Sequence, residues 1–254
     1  EKVVPNWSAQ HLDVKKSHAH LYNDYYDTPD GYFVEHKIGC RVRAKNQEFE
    51  QTIKTKGEVQ GGLHQRPEYN VKLDENKPNL SLFPKEIWPE NTDINYLNER
   101  IDILFSTHFE RTTFLLTGDD FALEVVFDFG EVKRLQESLP ICEIELELIK
   151  GEPTILFDFA AQIVEHIPAR LSDVTKAARG YLLVSGKRLE TKSLPHYLRL
   201  QNDETTEQAF CKALSKGLAH WQYHQQVYMQ SRKLQALYQI RESILLLLQT
   251  VALY

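Results

Sequence analysis

The segment Cys142-Glu143-Ile144-Glu145-Leu146-Glu147-Leu148 alternates acid with apolar residue. In a strand successive side chains point to opposite faces, so three carboxylates share one face and apolar groups the other. The same parity puts Arg41 and Arg43 on one face with Cys40, Val42 and Ala44 behind them. It also groups Glu50, Thr52, Lys54 and Lys56, and Glu124 with Asp128. Arginine forks and lysine point charges grip phosphate oxygens. Clustered carboxylates supply the hard oxygen ligands that Mg²⁺ or Mn²⁺ prefers. Rows of both kinds suit phosphoryl transfer, which needs mostly positioning and charge stabilisation.

Two architectures explain these rows. Each could be the solvated side of a half-exposed antiparallel sheet. Alternatively the sheet curls shut, with apolar rows facing outer helices and charged rows lining a lumen. The strands that would carry them are Tyr22–Tyr26, Gly39–Ala44, Glu48–Lys56, Glu68–Leu73, Arg111–Leu116, Phe121–Phe127 and Ile141–Leu148, with an eighth near Gly180–Val184. Turn chemistry at Asp27-Thr28-Pro29-Asp30-Gly31 and Gly118-Asp119-Asp120 punctuates them. A helix is expected over Thr154–Glu165, where Leu156, Phe159, Ala160 and Ile163 keep helical rhythm, and another through Tyr96–Phe105. After Gly186–Pro195 the pattern turns wholly helical, over Thr205–Gln230 and Lys233–Thr250.

Several short stretches together resemble the CYTH superfamily, the triphosphate tunnel metalloenzymes. They are Tyr25-Tyr26-Asp27-Thr28-Pro29-Asp30, Arg41-Val42-Arg43, Thr52-Ile53-Lys54, Glu143-Ile144-Glu145 and Lys176-Ala177-Ala178-Arg179-Gly180-Tyr181. Gly61-Gly62-Leu63-His64-Gln65-Arg66-Pro67-Glu68-Tyr69-Asn70 and Trp221-Gln222-Tyr223-His224 are similar to the bacterial branch that joins this domain to a helical CHAD domain and is associated with inorganic triphosphatase activity. The resemblance implies an α+β fold: an eight-stranded antiparallel β-barrel or tunnel with flanking helices over residues 1–188. A linker over 189–200 and the first helices of an all-α CHAD bundle over 201–254 would follow.

The resemblance further implies that Arg41, Arg43, Lys54, Arg111 and Lys176 contact triphosphate oxygens, with Arg66 and Arg179 extending the basic lining. Glu143 and Glu145 would hold Mg²⁺ or Mn²⁺, with Glu68 and Asp128 as further acidic groups. Tyr25 and Lys2 match a pair that helps activate water in some members, although the family's Glu-x-Glu-x-Lys opening is represented only by Glu1-Lys2. The expected reaction is metal-dependent hydrolysis of inorganic triphosphate to diphosphate and phosphate. The alternatives are hydrolysis of an organic triphosphate, a cyclase-like reaction on ATP, or non-catalytic binding of polyphosphate.

Composition bounds the remaining choices. The 254 residues carry a net charge of −6, against the excess of Lys and Arg usual in nucleic-acid-binding proteins, so no nucleic-acid partner is expected. The apolar run Ile244–Leu248 is much shorter than the roughly 20 residues of a membrane span, so no membrane partner is expected either. Three cysteines without CxxC spacing point to reduced thiols and a cytoplasmic location. Self-association through the C-terminal helices is compatible with their apolar faces. His220 and His224 lie at i, i+4, but without a third ligand at recognised spacing they read as surface or anion-facing side chains rather than a zinc pair. Trp88, Trp221 and Tyr223 read as packing residues, and no glycine-rich phosphate loop, Rossmann fingerprint or nucleophile elbow is present.

Overall fold

The computed structural model describes residues 7, 12–46, 48–60, 62–195 and 197–253. Seven strands form one antiparallel sheet: β1 (Asp13–Asp27), β2 (Gly39–Lys45), β3 (Glu48–Lys54), β6 (Glu68–Leu73), β7 (Asp102–Thr117), β8 (Ala122–Arg134) and β9 (Glu137–Lys150). Their spatial order is β6-β3-β2-β1-β7-β8-β9, and a separate hairpin joins β4 (Glu58–Gln60) to β5 (Leu63–Gln65). The helices are α1 (Tyr32–Glu35), α2 (Ile94–Arg100), α3 (Thr154–His166), α4 (Lys176–Ser185), α5 (Thr206–Ser231) and α6 (Leu234–Leu253).

The register decides which residues share a face. Across four strands Glu143 lies opposite Asp128, Asp128 opposite Arg111, and Arg111 opposite Ala19. Further along β1, Asn23 faces Arg43 and Tyr25 faces Arg41, and the row continues through Thr52 to Asn70. Directly opposed residues project to the same side, so acidic and basic rows from β9 to β6 share one face. The other face is apolar. Leu116, Leu123 and Val125 pack there against Phe159 and Ile163 of α3, and Cys40, Val42 and Ile53 pack with Phe33, Leu80 and Leu97. A register shift at Tyr25/Tyr26 breaks the long β1–β7 ladder, where a bulge increases local twist.

Three expectations need correction. The sheet is not a closed barrel: among the described residues it is open, with β6 and β9 as its edges. The segment expected to be an eighth strand is helical instead, as α4. Ala177, Tyr181 and Val184 recur at helical spacing and pack on the sheet with Phe105 and Phe109, burial that a strand's alternation could not give them. The helix expected over Tyr96–Phe105 ends at Arg100, because Asp102 already begins β7. Its N-terminus is capped by Asp93, whose carboxylate accepts from the Tyr96 amide at 3.0 Å.

The chain divides into two compact units. The β unit draws on the described residues of Glu1–Lys56, Arg66–Arg170 and Lys176–Ser185; the other draws on those of Gly57–Gln65, Leu171–Thr175 and Gly186–Tyr254. In the helical unit α5 begins with a capping box between Thr205 and Gln208, and α6 runs beside it. The helix α6 has an 18-residue stretch of mean hydropathy 1.2, so by length and composition alone it could cross a membrane, unlike the short run that drew attention in the sequence. It nevertheless buries Ala236, Gln239 and Ser243, and Ser243 Oγ lies 2.7 Å from His220 Nδ1 of α5.

Candidate active site

The charged face has two ends. At the β7–β9 end, Asp128 is fully buried and gripped by a bidentate fork: Arg111 Nε donates to Oδ1 at 2.7 Å and Nη2 to Oδ2 at 2.6 Å. Arg111 also reaches Glu145 Oε2 at 3.0 Å. From α4, Lys176 Nζ lies 2.7 Å from Asp128 Oδ2 and 3.1 Å from Glu145 Oε1, and it contacts Glu143. Arg179 pairs with the other oxygen of Glu143. Burial works against these charges, yet Lys176 and Arg111 pull the Glu145 carboxyl down to about 2. Burial likewise disfavours the Lys176 ammonium, but Glu145, Glu143 and Asp128 hold its pKa above the ordinary lysine value.

Glycine makes this approach of α4 to the sheet feasible. A Cβ on Gly180 would stand 2.0 Å from the Phe105 ring, and Lys176 is one helical turn before it. Phe105 is stacked in turn on Tyr25, with centroids 4.6 Å apart. Phe109 lies beneath both cations, 5.1 Å from the Lys176 ammonium and 5.6 Å from the Arg111 guanidinium.

The β2–β6 end is basic. Lys54 Nζ is 2.6 Å from Glu68 Oε2, and Arg41 Nη2 is 3.4 Å from Glu68 Oε1. Burial tends to raise the Glu68 carboxyl, but the Lys54 hydrogen bond and charge bring it below its usual value. Arg43 is different: its Nε donates to Asn23 Oδ1 at 2.8 Å, and among the described residues it makes no ion pair. Burial, followed by repulsion from Arg41 and Arg111, pushes its pKa down to about 10. A guanidinium so destabilised calls for an anion.

The structure thus brings Arg41, Arg43, Lys54, Glu68, Arg111, Asp128, Glu143, Glu145, Lys176 and Arg179 onto one side of the β unit. Tyr25 shares that side, but its ring is buried in an apolar cluster with Leu21 and Phe105. Arg66 precedes β6 and is turned to backbone, donating to Thr55 O at 3.0 Å and Lys37 O at 3.3 Å. Lys2 lies outside the described residues. Asp128, Glu143 and Glu145 each offer an oxygen within 4.8 Å of the others, a donor set that fits Mg²⁺ or Mn²⁺; Glu68 stands apart from it.

Sequence reasoning missed Asn23 and Gly180. Asn23 donates to Thr107 Oγ1 at 2.8 Å while accepting from Arg43, and its position two residues before Tyr25 was the available signal. The surface reading of the histidines also needs correction. His224 is fully buried, its Nε2 accepting from the Lys192 amide at 3.0 Å and its Nδ1 donating to His220 O at 2.8 Å. His220 Nε2 donates to Lys192 O at 3.1 Å, so the pair's ring nitrogens bind protein atoms and fix the segment around Lys192 to α5.

One face of the antiparallel sheet thus carries Arg41, Arg43, Lys54 and Glu68 at one end and Asp128, Glu143 and Glu145 with their lysine and arginine partners at the other. Residues 4–181 match the CYTH domain, and the chain belongs to that family. Over 215 residues it is 36% identical to the inorganic triphosphatase of Haemophilus influenzae, covering 82% of this chain and 58% of that protein. The chain therefore spans a little over half the length of that relative. Two solved structures are also similar at 18% identity. One is a putative adenylyl cyclase from Hippeastrum described as having a dominant triphosphatase activity, covering 74% of this chain and 90% of that one with a TM-score of 0.48. The other is a putative adenylate cyclase from Bacillus halodurans, covering 70% and 89% with a TM-score of 0.42.

Proposed function

We propose that this chain is a metal-dependent inorganic triphosphatase that hydrolyses triphosphate to diphosphate and phosphate on the charged face of its sheet. The observation that carries the reading is Arg43: a half-buried guanidinium that makes no ion pair among the described residues and is pressed by Arg41 and Arg111 suits a polyanion bearing several charges. The identity to the Haemophilus influenzae triphosphatase supports the same substrate.

In this reading Arg41, Arg43 and Lys54 hold one part of the triphosphate, and Arg111, Lys176 and Arg179 another. The family's divalent ion, Mg²⁺ or Mn²⁺, would be held by Asp128, Glu143 and Glu145 and would supply charge neutralisation at the phosphate oxygens. Glu68 orients Lys54 and Arg41 through its two oxygens. Burial among apolar neighbours suits Tyr25 to supporting the floor of the site, with proton transfer as the second role open to it.

The helical unit is read as the start of a CHAD bundle. The apolar side chains that α6 leaves exposed, among them Leu248 and Val251, suit further helices or a second copy. Free Cys40, Cys142 and Cys211 support a reducing, cytoplasmic setting. Neither nucleic acid nor membrane is proposed as a partner.

The test is phosphate release from inorganic triphosphate, ATP and long-chain polyphosphate in parallel, with and without Mg²⁺ or Mn²⁺. Metal-dependent release mainly from triphosphate is expected, and Arg41→Ala or Glu145→Gln should abolish it in folded protein. Triphosphate binding without release from any substrate would replace the enzyme by a binding module.

A further inference from the structure

The carboxylate cluster already contains a cation, and it belongs to the protein. Lys176 Nζ touches one oxygen of each cluster member, at 2.7 Å from Asp128, 3.1 Å from Glu145 and in contact with Glu143. Its side chain is only 9% exposed. Arg111 and Arg179 occupy further oxygens of the same three acids, so three positive groups face three negative ones.

We infer that Lys176 is an internal counter-cation, occupying the carboxylate cluster until a polyanionic substrate draws it away, and that it thereby couples the binding of divalent cation and triphosphate. The anion's identity rests on the triphosphatase reading; the competition between ammonium and metal ion does not.

Charge and reach both favour this exchange. A divalent ion entering the balanced cluster would stand a few ångströms from the nearly buried ammonium and beside the fully buried Asp128, where like charges repel strongly. Lysine carries its charge on a flexible four-carbon stem, so it can exchange carboxylate for phosphate by rotation about its own bonds. Once it turns to a triphosphate, the three acids lose a counter-charge and their demand for a metal ion rises. Coupling of this kind is reciprocal: the metal ion raises triphosphate affinity by the factor by which triphosphate raises metal affinity. Gly180 sets the rest position, because it lets α4 approach near enough for the ammonium to reach all three acids.

The experiment is a calorimetric titration of Mn²⁺ alone into the full chain, comparing wild type with Lys176→Met, which keeps an apolar stem of similar length without the charge. The variant is expected to bind Mn²⁺ roughly tenfold or more tightly than wild type. Lys133→Met removes an exposed lysine beside Glu131 and controls for net charge; its Mn²⁺ affinity should match wild type. A second measurement needs no variant: the NMR ammonium signal of Lys176 in wild-type protein should shift or vanish as Mg²⁺ saturates. Affinity in Lys176→Met no tighter than wild type, including no binding by either, overturns the inference, as does an unchanged Lys176 signal at saturating Mg²⁺. Failure of the triphosphatase reading would appear elsewhere, as absence of phosphate release by wild type, and would leave the metal titrations standing.

Discussion

The two ends of the charged face solve the same electrostatic problem in opposite ways. At the β7–β9 end every candidate metal-binding acid is matched by a lysine or arginine, and the most buried of them, Asp128, receives a two-pronged guanidinium. At the β2–β6 end Arg43 is half-buried and hydrogen-bonds an amide oxygen, with no ion pair among the described residues. The first end neutralises its charges within the protein; the second carries a guanidinium with no ion pair among the described residues. Under the triphosphatase proposal some charge has to stay uncommitted for the substrate, and the division runs between strands β7–β9 and strand β2.

Breaking the paired end should cost most. Asp128→Ala leaves Arg111 and Lys176 without their buried partner and is expected to lower the unfolding free energy by about 3–5 kcal/mol in urea denaturation. A loss below about 1 kcal/mol, the range of exposed ion pairs, would mean that this end is not the stabilised one. Arg43→Ala should do the reverse. It removes an uncompensated charge, so stability should hold while triphosphate affinity falls by about tenfold to a hundredfold, the worth of a charge-assisted hydrogen bond. Destabilisation comparable to that of Asp128→Ala would erase the contrast.

Gly180→Ala probes the support beneath the paired end. The new methyl would stand 2.0 Å from the Phe105 ring, and overpacking of this kind costs about 1–3 kcal/mol. Thermal denaturation reads the loss, and adding Phe105→Leu should recover part of it. A Gly180→Ala protein that melts with wild type would show that α4 has slack.

The smallest effect expected is a pH contrast. Burial and the neighbouring histidine lower the pKa of His220, and burial, the larger cause, also lowers that of His224. A group depressed in the folded state favours folding above its unfolded pKa, so the helical unit should lose stability as pH falls below about 6.5. Amide exchange at Lys192, which donates to His224, follows this directly. The paired end should persist further into acid. Glu145 has an ordinary value of 4.5 and a folded value of about 2, so its contribution should fade only between those pH values. Simultaneous loss of both regions near pH 6 would contradict the assignment.

The charge rows were readable early because strand parity is a local property. Once Cys142–Leu148 is a strand, Glu143 and Glu145 must share a face, and the same holds for Arg41 and Arg43. Strand ends were harder to place. Tyr22–Tyr26 is the tail of a 15-residue strand whose earlier half, with Lys15, Lys16 and His18, lacks the apolar signal of a buried strand. Its ladder with β7 supplies the stabilisation that its own composition does not.

What the sequence determined by itself was the set of chemical groups and the face each would occupy, since alternation and helical rhythm follow from local backbone geometry. The partner of each charge was decided only by the tertiary structure. That Asp128 receives Arg111, that Lys176 lies among three acids, and that Arg43 is left to Asn23 all depend on pairings between residues far apart in the chain. Such pairings are set by register and by how near a glycine lets a helix come, and burial then decides what each charge costs.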